Sequence, residues 1–302
     1  MLYKTKTEAI NRLLPKAKEL KRNFGLHVSM TIAQIVQESG WLKHASGNNF
    51  LGIKVPKVKV NGILVPDPKI PENRMQLLWT YEWQNGKWVK VQDWFMKYDS
   101  LEDCMDRYAK ILLLPRYKDT LDSKDWWNST NYVRLNGYAT SPNYTVSLRR
   151  VILESKLYEL DWIYPYDTPI NPGSKFVWGE THSNVIFNGK KYYRVIEPYP
   201  EYFDNVHKLT TQLDIVRYHF GLPIRIERWF STPEYNATLP GSSPTSQHLY
   251  ANAADTIKHR KISSQDYLNA FLIKTDVTGI GVRKSGNLHV DLRKGKRTIW
   301  YY

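Results

Sequence analysis

The chain has 302 residues and a formal net charge of +14, from 43 lysines and arginines against 29 aspartates and glutamates. This length allows two domains of ordinary size, and no apolar run is long enough to form a membrane-spanning helix. The first residues lack the apolar segment and cleavage site of a secretory signal, and the single cysteine, Cys104, excludes a disulfide within the chain.

Helical and strand-like patterns alternate along the first half of the chain. Residues 4–24 read as helical, with Pro15 placed to start a second short helix and Gly25 placed to end it. A helix that ends at Glu38 follows, because apolar residues recur on one face at helical spacing. The other predicted elements are a loop or loose hairpin over 55–71, a β-hairpin over 77–95 around Asn85-Gly86, and helices over 101–114 and 146–160.

The segment 163–174 is rich in proline and turn-forming residues, which marks the best candidate for a domain boundary. We therefore predict a domain over 1–162, a linker over 163–174 and a second domain over 175–302. In the second domain the pattern predicts a strand over 188–196, a helix near 203–220, and short strands through Ile226, Thr256 and His289.

Glu38 is the first candidate for chemistry. A carboxylate in the last turn of a helix feels the negative end of the helix dipole, and aromatic neighbours such as Trp41 would desolvate it. Both effects favour the protonated form that a general acid needs. The alternative is an ordinary solvated glutamate near a helix end.

A second candidate site contains His248, Asp255 and His289. His248 and Asp255 are seven residues apart, so they point to opposite faces of one straight strand and lie about 10 Å apart along a helix. The chain must turn between them to hold one ion, and three small alanines would permit that turn. With His289 as a third ligand and one open position, the set has the composition of a catalytic zinc site.

The positive charge would concentrate nucleic acid, anionic lipid or an anionic cell-wall polymer. The basic residues are dispersed and no recognisable nucleic-acid-binding module is present, so we expect no nucleic-acid partner. We also expect no stable membrane insertion.

The first half resembles the active-site signature of bacterial and phage glucosaminidases of glycoside hydrolase family 73. The likeness begins with Gln37–Trp41 and with Asn49–Lys54, in which Leu51 is an insertion relative to the family pattern. It continues over most of residues 10–160, through 80–82, 95–100, 116–117 and 137–144.

This resemblance implies that Glu38 is the general acid and Glu82 the second carboxylate of a glycosidase. It also implies that Tyr138 and Tyr144 support the sugar or its N-acetyl group, without a cofactor. Trp41 and Asn49, which belong to the motifs around the acid, are candidate substrate contacts. The alternatives are purely structural roles: an ion pair between Glu82 and a cross-strand lysine, and core packing for both tyrosines. A lytic transglycosylase, in which a substrate hydroxyl attacks, also stays open.

The second half resembles zinc peptidases of metallopeptidase family 15, which cut peptidoglycan stem peptides as D-alanyl-D-alanine carboxypeptidases or L-alanyl-D-glutamate endopeptidases. The motifs are Ser246–Asp255 and Asn287–Asp291. The resemblance implies Zn²⁺ held by the three ligands already named.

Two departures from that family pattern concern catalysis. Ser231 stands where an arginine would hold a substrate carboxylate, so Arg228 becomes the candidate substitute. Gly286 and Asn287 stand where members carry a carboxylate or histidine, which leaves Asp291 as a possible base or as a group that orients His289.

Together these patterns predict an α-helical, lysozyme-like domain with a β-hairpin, followed by an α+β zinc peptidase-like domain. The predicted protein is a bifunctional peptidoglycan hydrolase of phage type, either an endolysin or a virion-associated lysin, whose partner is bacterial peptidoglycan. We expect it in the host cytoplasm before release to the wall, or in the virion, and a holin is implied only for an endolysin. The alternative is a glucosaminidase with a degenerate, zinc-stabilised wall-binding module.

Overall fold

The computed structural model of the protein describes residues 5–302, apart from the side chain of Gln84. The chain forms two compact units that divide between Asp161 and Trp162. The first unit is mainly helical and carries β-hairpins, whereas the second combines helices with a five-stranded sheet. This architecture confirms the predicted fold class.

The core of the first unit surrounds helix α2 (Val28–Glu38), in which every residue from Val28 to Val36 is buried. Helix α2 contacts three other helices of the unit along this buried length. Its last residue, Glu38, therefore emerges at the edge of the core. The other helices of the first unit are α1 (Lys6–Phe24), α3 (Leu101–Leu112), α4 (Lys118–Leu121), α5 (Trp126–Leu135) and α6 (Tyr144–Glu154).

The prediction that Pro15 starts a new helix was wrong, because α1 runs through it without a break. A proline inside a helix removes one hydrogen bond, and here the buried face around Leu13 and Ala17 holds both sides of the helix together. Gly25 ends α1 in the left-handed conformation with φ 75°, as predicted. Residue 4 of the predicted helix lies outside the described residues.

Two hairpins project from the first unit. Strands β1 (Lys57–Val60) and β2 (Ile63–Pro66) form the first, in the region expected to be a loop or loose hairpin. Strands β3 (Met75–Gln84) and β4 (Lys87–Met96) form the second around Asn85 and Gly86, whose φ angles of 50° and 80° suit a tight primed turn. The predicted hairpin over 77–95 is therefore confirmed.

The second unit is built on one sheet. Its strands are β7 (Arg225–Arg228), β8 (Ala253–Ile257), β9 (Gly279–Val282), β10 (Leu288–Asp291) and β11 (Thr298–Tyr301), in the spatial order β11-β9-β10-β8-β7. Neighbouring strands are antiparallel, except for the parallel pair β9 and β11. A separate hairpin, β5 (Ser183–Phe187) with β6 (Lys190–Ile196), and helices α7 (Phe203–Phe220), α8 (Pro233–Ala237) and α9 (Ser264–Lys274) complete the unit.

The segment predicted as a linker, 163–174, makes contacts inside the second unit. The Tyr164 ring stacks on Trp178 with centroids 4.3 Å apart, and Pro169 forms an isolated β-bridge with Val177. Ile170 is buried in the same unit. Within residues 5–302, no helix is both long and apolar enough to cross a membrane.

Candidate active sites

A groove of about 890 Å³ opens in the first unit beside the C-terminal end of α2. Its walls come from the end of α2, the β3–β4 hairpin and the segment 137–147. The structure brings four predicted site residues to this groove, namely Glu38, Glu82, Tyr138 and Tyr144.

A tight turn after α2 fixes the position of Glu38. The Ser39 hydroxyl donates to the Ile35 carbonyl at 2.5 Å and accepts from the Leu42 amide at 2.9 Å. Three successive residues of this turn have positive φ angles: 56° at Gly40 and 64° at both Trp41 and Leu42. Left-handed backbone at two residues with side chains is strained, so the surrounding turn must hold it in place.

The Glu38 side chain is exposed to the groove, yet nearby protein atoms desolvate its carboxyl and raise its pKa to about 6. Exposure and desolvation coexist because water reaches the carboxyl only from the open side of the groove. A hydrogen bond from Tyr144 opposes the shift, since it favours the ionised form. The net effect places the titration of Glu38 where a general acid is useful.

A buried hydrogen-bond chain orients Tyr144 towards Glu38. Tyr108 donates to Gln34 Oε1 at 2.5 Å, and Gln34 Nε2 donates to the Tyr144 oxygen at 3.1 Å. Because Tyr144 accepts from Gln34, its own hydroxyl proton is free for the Glu38 carboxylate. Sequence reasoning missed Gln34 and Tyr108; their helical spacing signalled only core packing.

Three groove-lining residues have a buried polar atom without a hydrogen-bond partner among the described residues. These atoms are the Tyr138 hydroxyl, Gln37 Oε1 and Arg107 Nε. The Tyr138 ring lies against Tyr144, with centroids 6.0 Å apart and 30° between the planes. Unpaired buried polar atoms beside a catalytic candidate are suited to receive hydrogen bonds from, or donate them to, a bound substrate.

Glu82 lies on the hairpin wall and forms an ion pair with Lys54, with Oε1 and Nζ 2.7 Å apart. The same Lys54 ammonium lies 3.1 Å from Asp93. The expected alternative was an ion pair between Glu82 and a lysine on the facing strand. The residue that faces Glu82 on β4 is Val89, and the ion-pair partner comes instead from the loop that precedes the hairpin.

Trp41 and Asn49 are not among the residues that line the groove. The Trp41 ring carries the Lys6 ammonium 4.8 Å from its centroid. The Asn49 side chain binds the backbone of Ile53 at 2.8 and 2.9 Å and the Met96 carbonyl at 3.0 Å. Asn49 thus ties the loop to β4, and the structure gives neither residue a direct place in the groove.

The second unit brings His248, Asp255 and His289 together at the centre of its sheet. His248 lies in the short helical turn Gln247–Tyr250, and Ala251 with φ 52° then reverses the chain into β8, which carries Asp255. His289 lies opposite Asp255 on β10. The required turn between the first two residues therefore exists, at one of the small alanines.

The distances within this cluster fit one metal ion. His248 Nε2 and His289 Nδ1 are 3.2 Å apart, and Asp255 Oδ1 lies 3.4 Å from the first nitrogen and 3.0 Å from the second. Donors about 2.0–2.1 Å from one ion at tetrahedral angles lie roughly 3.3–3.4 Å apart. The three groups, all buried, therefore fit three corners of a tetrahedral zinc site.

Each candidate ligand has an outer partner that fixes its orientation. His248 Nδ1 donates to the Trp229 carbonyl at 2.5 Å, which leaves Nε2 free to bind an ion. His289 Nε2 lies 2.9 Å from Asp291 Oδ2. Such second partners hold the tautomer and the ring angle of metal-binding histidines.

The far oxygen of the Asp255 carboxylate contacts two arginines. Its Oδ2 lies 2.8 Å from Arg228 Nε and 3.1 Å from Arg283 Nη2, and Arg283 also pairs with Glu227. Burial alone would raise the Asp255 pKa, but the histidines and Arg228 hold it well below its usual range. Arg228 thus supports a ligand, in addition to lining the adjacent cavity.

Asp291 is fully buried, and Arg293 binds its carboxylate through Nε at 2.8 Å and through Nη2 at 2.5 Å. These contacts and the bond to His289 occupy the carboxylate, so the geometry favours the orienting role over the role of base. Ser231, where an arginine was expected, is also fully buried and lies outside the cavity lining.

A cavity of about 650 Å³ opens beside the cluster and is lined by Asp255 and His289. Three cations face it, namely Arg228, Arg283 and Lys191, together with Glu227. Sequence reasoning missed Lys191, Glu227 and Arg283, which belong to no motif and reach the site only through the tertiary fold.

Comparison with known proteins agrees with the division of the chain into two units. Residues 14–157 match the family described as mannosyl-glycoprotein endo-beta-N-acetylglucosaminidase, and residues 189–291 match the family described as Peptidase M15. The autolysin of Enterococcus faecalis is 29% identical over 180 residues, which cover 56% of this chain and 22% of that protein. The exo-glucosaminidase LytG of Bacillus subtilis is 25% identical over 165 residues, which cover 52% of this chain and 54% of that protein.

A solved structure of a peptidoglycan hydrolase mutant from Sphingomonas sp. A1 is also similar, with 23% identity and a TM-score of 0.43 over 52% of this chain and 97% of that one. The chain spans about a fifth and about half of the lengths of the two relatives named above.

The fold and the sites define a two-domain protein that combines a lysozyme-like unit bearing an acidic groove residue with an α+β unit bearing a His-Asp-His cluster. The glucosaminidase family model matches most of its N-terminal unit, and the Peptidase M15 family model matches most of its C-terminal unit.

Proposed function

We propose that the protein is a bifunctional peptidoglycan hydrolase, in which the first unit cleaves glycan strands and the second hydrolyses a stem-peptide amide. The observation that carries the proposal is the Glu38 carboxyl, which faces the groove with its pKa raised to about 6. Relatives named autolysin and exo-glucosaminidase support a cell-wall glycan as substrate.

In the first unit, Glu38 would protonate the oxygen of the leaving sugar. Tyr144 would donate a hydrogen bond to the carboxylate that remains, since its oxygen already accepts a hydrogen bond from Gln34. Glu82, on the hairpin wall of the groove, would serve as the second carboxylate after it leaves Lys54. Tyr138, whose hydroxyl is unpaired, would bind the sugar or its N-acetyl group.

In the second unit, His248 Nε2, Asp255 Oδ1 and His289 Nδ1 would hold Zn²⁺. A zinc ion in such a site supplies Lewis-acid polarisation of an amide carbonyl and a lowered pKa of water. The protein's own groups would do the rest: Asp291 orients His289, while Lys191, Arg228 and Arg283 present positive charge to a carboxylate of the stem peptide.

The experiment is mass spectrometry of fragments released from purified peptidoglycan by the wild type and by single variants. Glu38→Gln should abolish new reducing ends but retain new amino or carboxyl ends, and His248→Ala should do the reverse. Glu72→Gln and His219→Ala, exposed residues of the same types, are the matched controls. Glycan cleavage that survives in Glu38→Gln, or peptide cleavage that survives in His248→Ala, would refute the corresponding half.

The same fragments distinguish hydrolysis from lytic transglycosylation. Hydrolysis leaves a free reducing sugar, whereas attack by the substrate's own hydroxyl leaves an anhydro sugar that is lighter by one water. The presence of Glu82 in the groove favours hydrolysis, because a second carboxylate can activate water.

A second candidate for the C-terminal unit is a zinc-stabilised module that binds the wall without cutting it. It is favoured by Gly286 and Asn287 at the positions of the expected base and by the buried, paired state of Asp291. In that case the wild type would release no new amino groups, and His248→Ala would weaken wall binding and stability only.

We further propose a phage role, either as an endolysin that a holin releases from the host cytoplasm or as a lysin carried in the virion. Two wall-cutting units in one chain support this role. Lysis of a producing culture only after its membrane is permeabilised would fit an endolysin, and detection of the chain in purified particles would fit a virion enzyme. Neither result would exclude the hydrolytic activity itself.

A further inference from the structure

One face of the β3–β4 hairpin carries aromatic side chains towards solvent. Directly paired residues on antiparallel strands share a face, and successive residues alternate between faces. The pairs Leu77–Trp94, Trp79–Gln92, Tyr81–Lys90 and Trp83–Trp88 therefore lie on one side of the hairpin. The opposite side carries Glu82 and the buried residues Asp93 and Phe95.

The exposure of this aromatic face is large. Trp79 and Tyr81 each expose 62% of their surface, Trp88 exposes 54% and Leu77 exposes 45%. A strand with one face in water normally carries polar residues on that face. Contiguous exposed apolar patches mark interaction sites.

The polar groups on the same face are positive or neutral. The Lys90 ammonium lies 5.1 Å from the centroid of the Trp79 ring, and Gln92 pairs directly with Trp79. The Trp83 and Trp88 rings support each other edge to face, with centroids 5.2 Å apart. Flat rings beside hydrogen-bonding side chains match a pyranose, which has an apolar C–H face and a rim of hydroxyls.

The aromatic face is continuous with the groove, because Tyr81 and Trp88 belong to both. We propose that this face is a second glycan-binding site, on which an uncut part of a peptidoglycan strand stacks while another part occupies the groove. This inference rests on the proposed glycan substrate of the first unit. The site would hold the enzyme on the insoluble wall and contribute little to the cleavage of short soluble fragments.

Binding is tested in the full chain made inactive by Glu38→Gln. Sedimentation with purified peptidoglycan sacculi, stripped of protein and anionic polymers, gives the apparent Kd. Adding Leu77→Thr and Trp79→Thr should weaken binding about tenfold, since stacking on one exposed aromatic contributes roughly one order of magnitude. Threonine favours strands, and neither residue lines the groove.

Matched controls separate stacking from general loss of aromatic surface. Tyr193→Thr with Tyr301→Thr removes two aromatics of similar exposure, 68% and 73%, from the second unit and should leave the Kd unchanged. Trp79→Phe keeps a flat ring and should retain most of the binding. Circular dichroism of each variant checks that the hairpin is intact.

Wall binding that is unchanged in Leu77→Thr/Trp79→Thr would overturn the proposal. An equal loss in the Tyr193→Thr/Tyr301→Thr control would overturn it as well. The same variants are tested for binding to phosphatidylglycerol vesicles, and a loss of binding to vesicles alone would identify a membrane surface instead. Cleavage of a soluble tetrasaccharide by the chain with Glu38 intact tests the proposed function separately. If that cleavage is absent while sacculus binding still depends on Trp79, the second binding site stands without the glycosidase.

Discussion

His289 Nε2 lies 2.9 Å from Asp291 Oδ2, and both residues are on the short central strand β10. This contact leaves His289 Nδ1 to face His248 and Asp255. One strand thus supplies both a candidate metal ligand and the carboxylate that orients it, and Arg293 completes the arrangement by neutralising that carboxylate.

Replacing Asp291 should weaken metal binding without removing a ligand. Asp291→Asn keeps the side-chain volume but replaces the charged partner of His289, so zinc affinity should fall about 10–100-fold. Competition with a chromophoric chelator measures it. Asp276→Asn, an exposed aspartate in the same unit, is the control and should bind zinc as the wild type does. Unchanged affinity in Asp291→Asn would contradict the orienting role.

Glycan cleavage should depend on pH through Glu38. Desolvation raises the pKa of this carboxyl to about 6, and only the protonated form can donate to the leaving oxygen. The kcat/KM for a soluble glycan should therefore be retained just below pH 6 and fall about tenfold per pH unit above it. A decline that begins near the ordinary glutamate value would show that the groove does not desolvate Glu38.

Removing the Tyr144 hydroxyl should move this decline. The hydrogen bond from Tyr144 lowers the pKa of Glu38, so Tyr144→Phe should shift the alkaline limb of the pH profile upwards. The maximal rate should fall as well, because the carboxylate loses a donor. Tyr193→Phe, exposed in the other unit, should leave the profile in place. A downward shift would mean that Tyr144 does not stabilise the ionised carboxyl.

The same pKa shift predicts that Glu38 costs stability at neutral pH. Its folded pKa of about 6 lies above the ordinary value of 4.5, so the folded state holds the proton more tightly, and this stabilisation is lost as pH rises through about 6. The full shift corresponds to about 2 kcal/mol, but the carboxyl is open to groove water, so about 1 kcal/mol is expected. Urea unfolding should find Glu38→Gln more stable than the wild type near pH 7.5 and equal to it near pH 4.

Glu82 should affect the rate rather than the fold. If it is the second carboxylate, Glu82→Gln should lower kcat by roughly 10²–10⁴-fold with little change in stability. Asp93→Asn is the matched control, because Asp93 shares Lys54 with Glu82 but is buried between strand and loop and should mainly affect stability. If both variants kept wild-type kcat, Glu82 would be only the partner of Lys54.

Local sequence rules found the elements that carry strong local signals. The Asn85-Gly86 turn, the helix that ends at Glu38 and the reversal between His248 and Asp255 each follow from one backbone requirement that a few neighbouring residues reveal. Helices α5 and α9 were not predicted. Helix α5 has only weak amphipathic character, so its burial depends on packing against α4 and α6.

The residues that hold the site residues in place could not be predicted from the sequence either, because they come from distant parts of the chain. Gln34 is 74 residues from Tyr108 and 110 from Tyr144 in sequence, so no spacing rule connects them. Arg283 reaches Asp255 only because β9 and β8 flank the same central strand. Trp41 and Asn49 follow the acid closely in the family motifs, yet the left-handed turn at Gly40 and the bonds of Asn49 to Ile53 keep them out of the groove lining.

The order of residues along the chain determined which groups are candidates for chemistry: one glutamate at a helix end, and two histidines and an aspartate separated by a forced turn. Three-dimensional packing alone decided their protonation and their partners. The reason is that a pKa and a hydrogen bond depend on which atoms surround a group, and here those atoms come from distant parts of each unit.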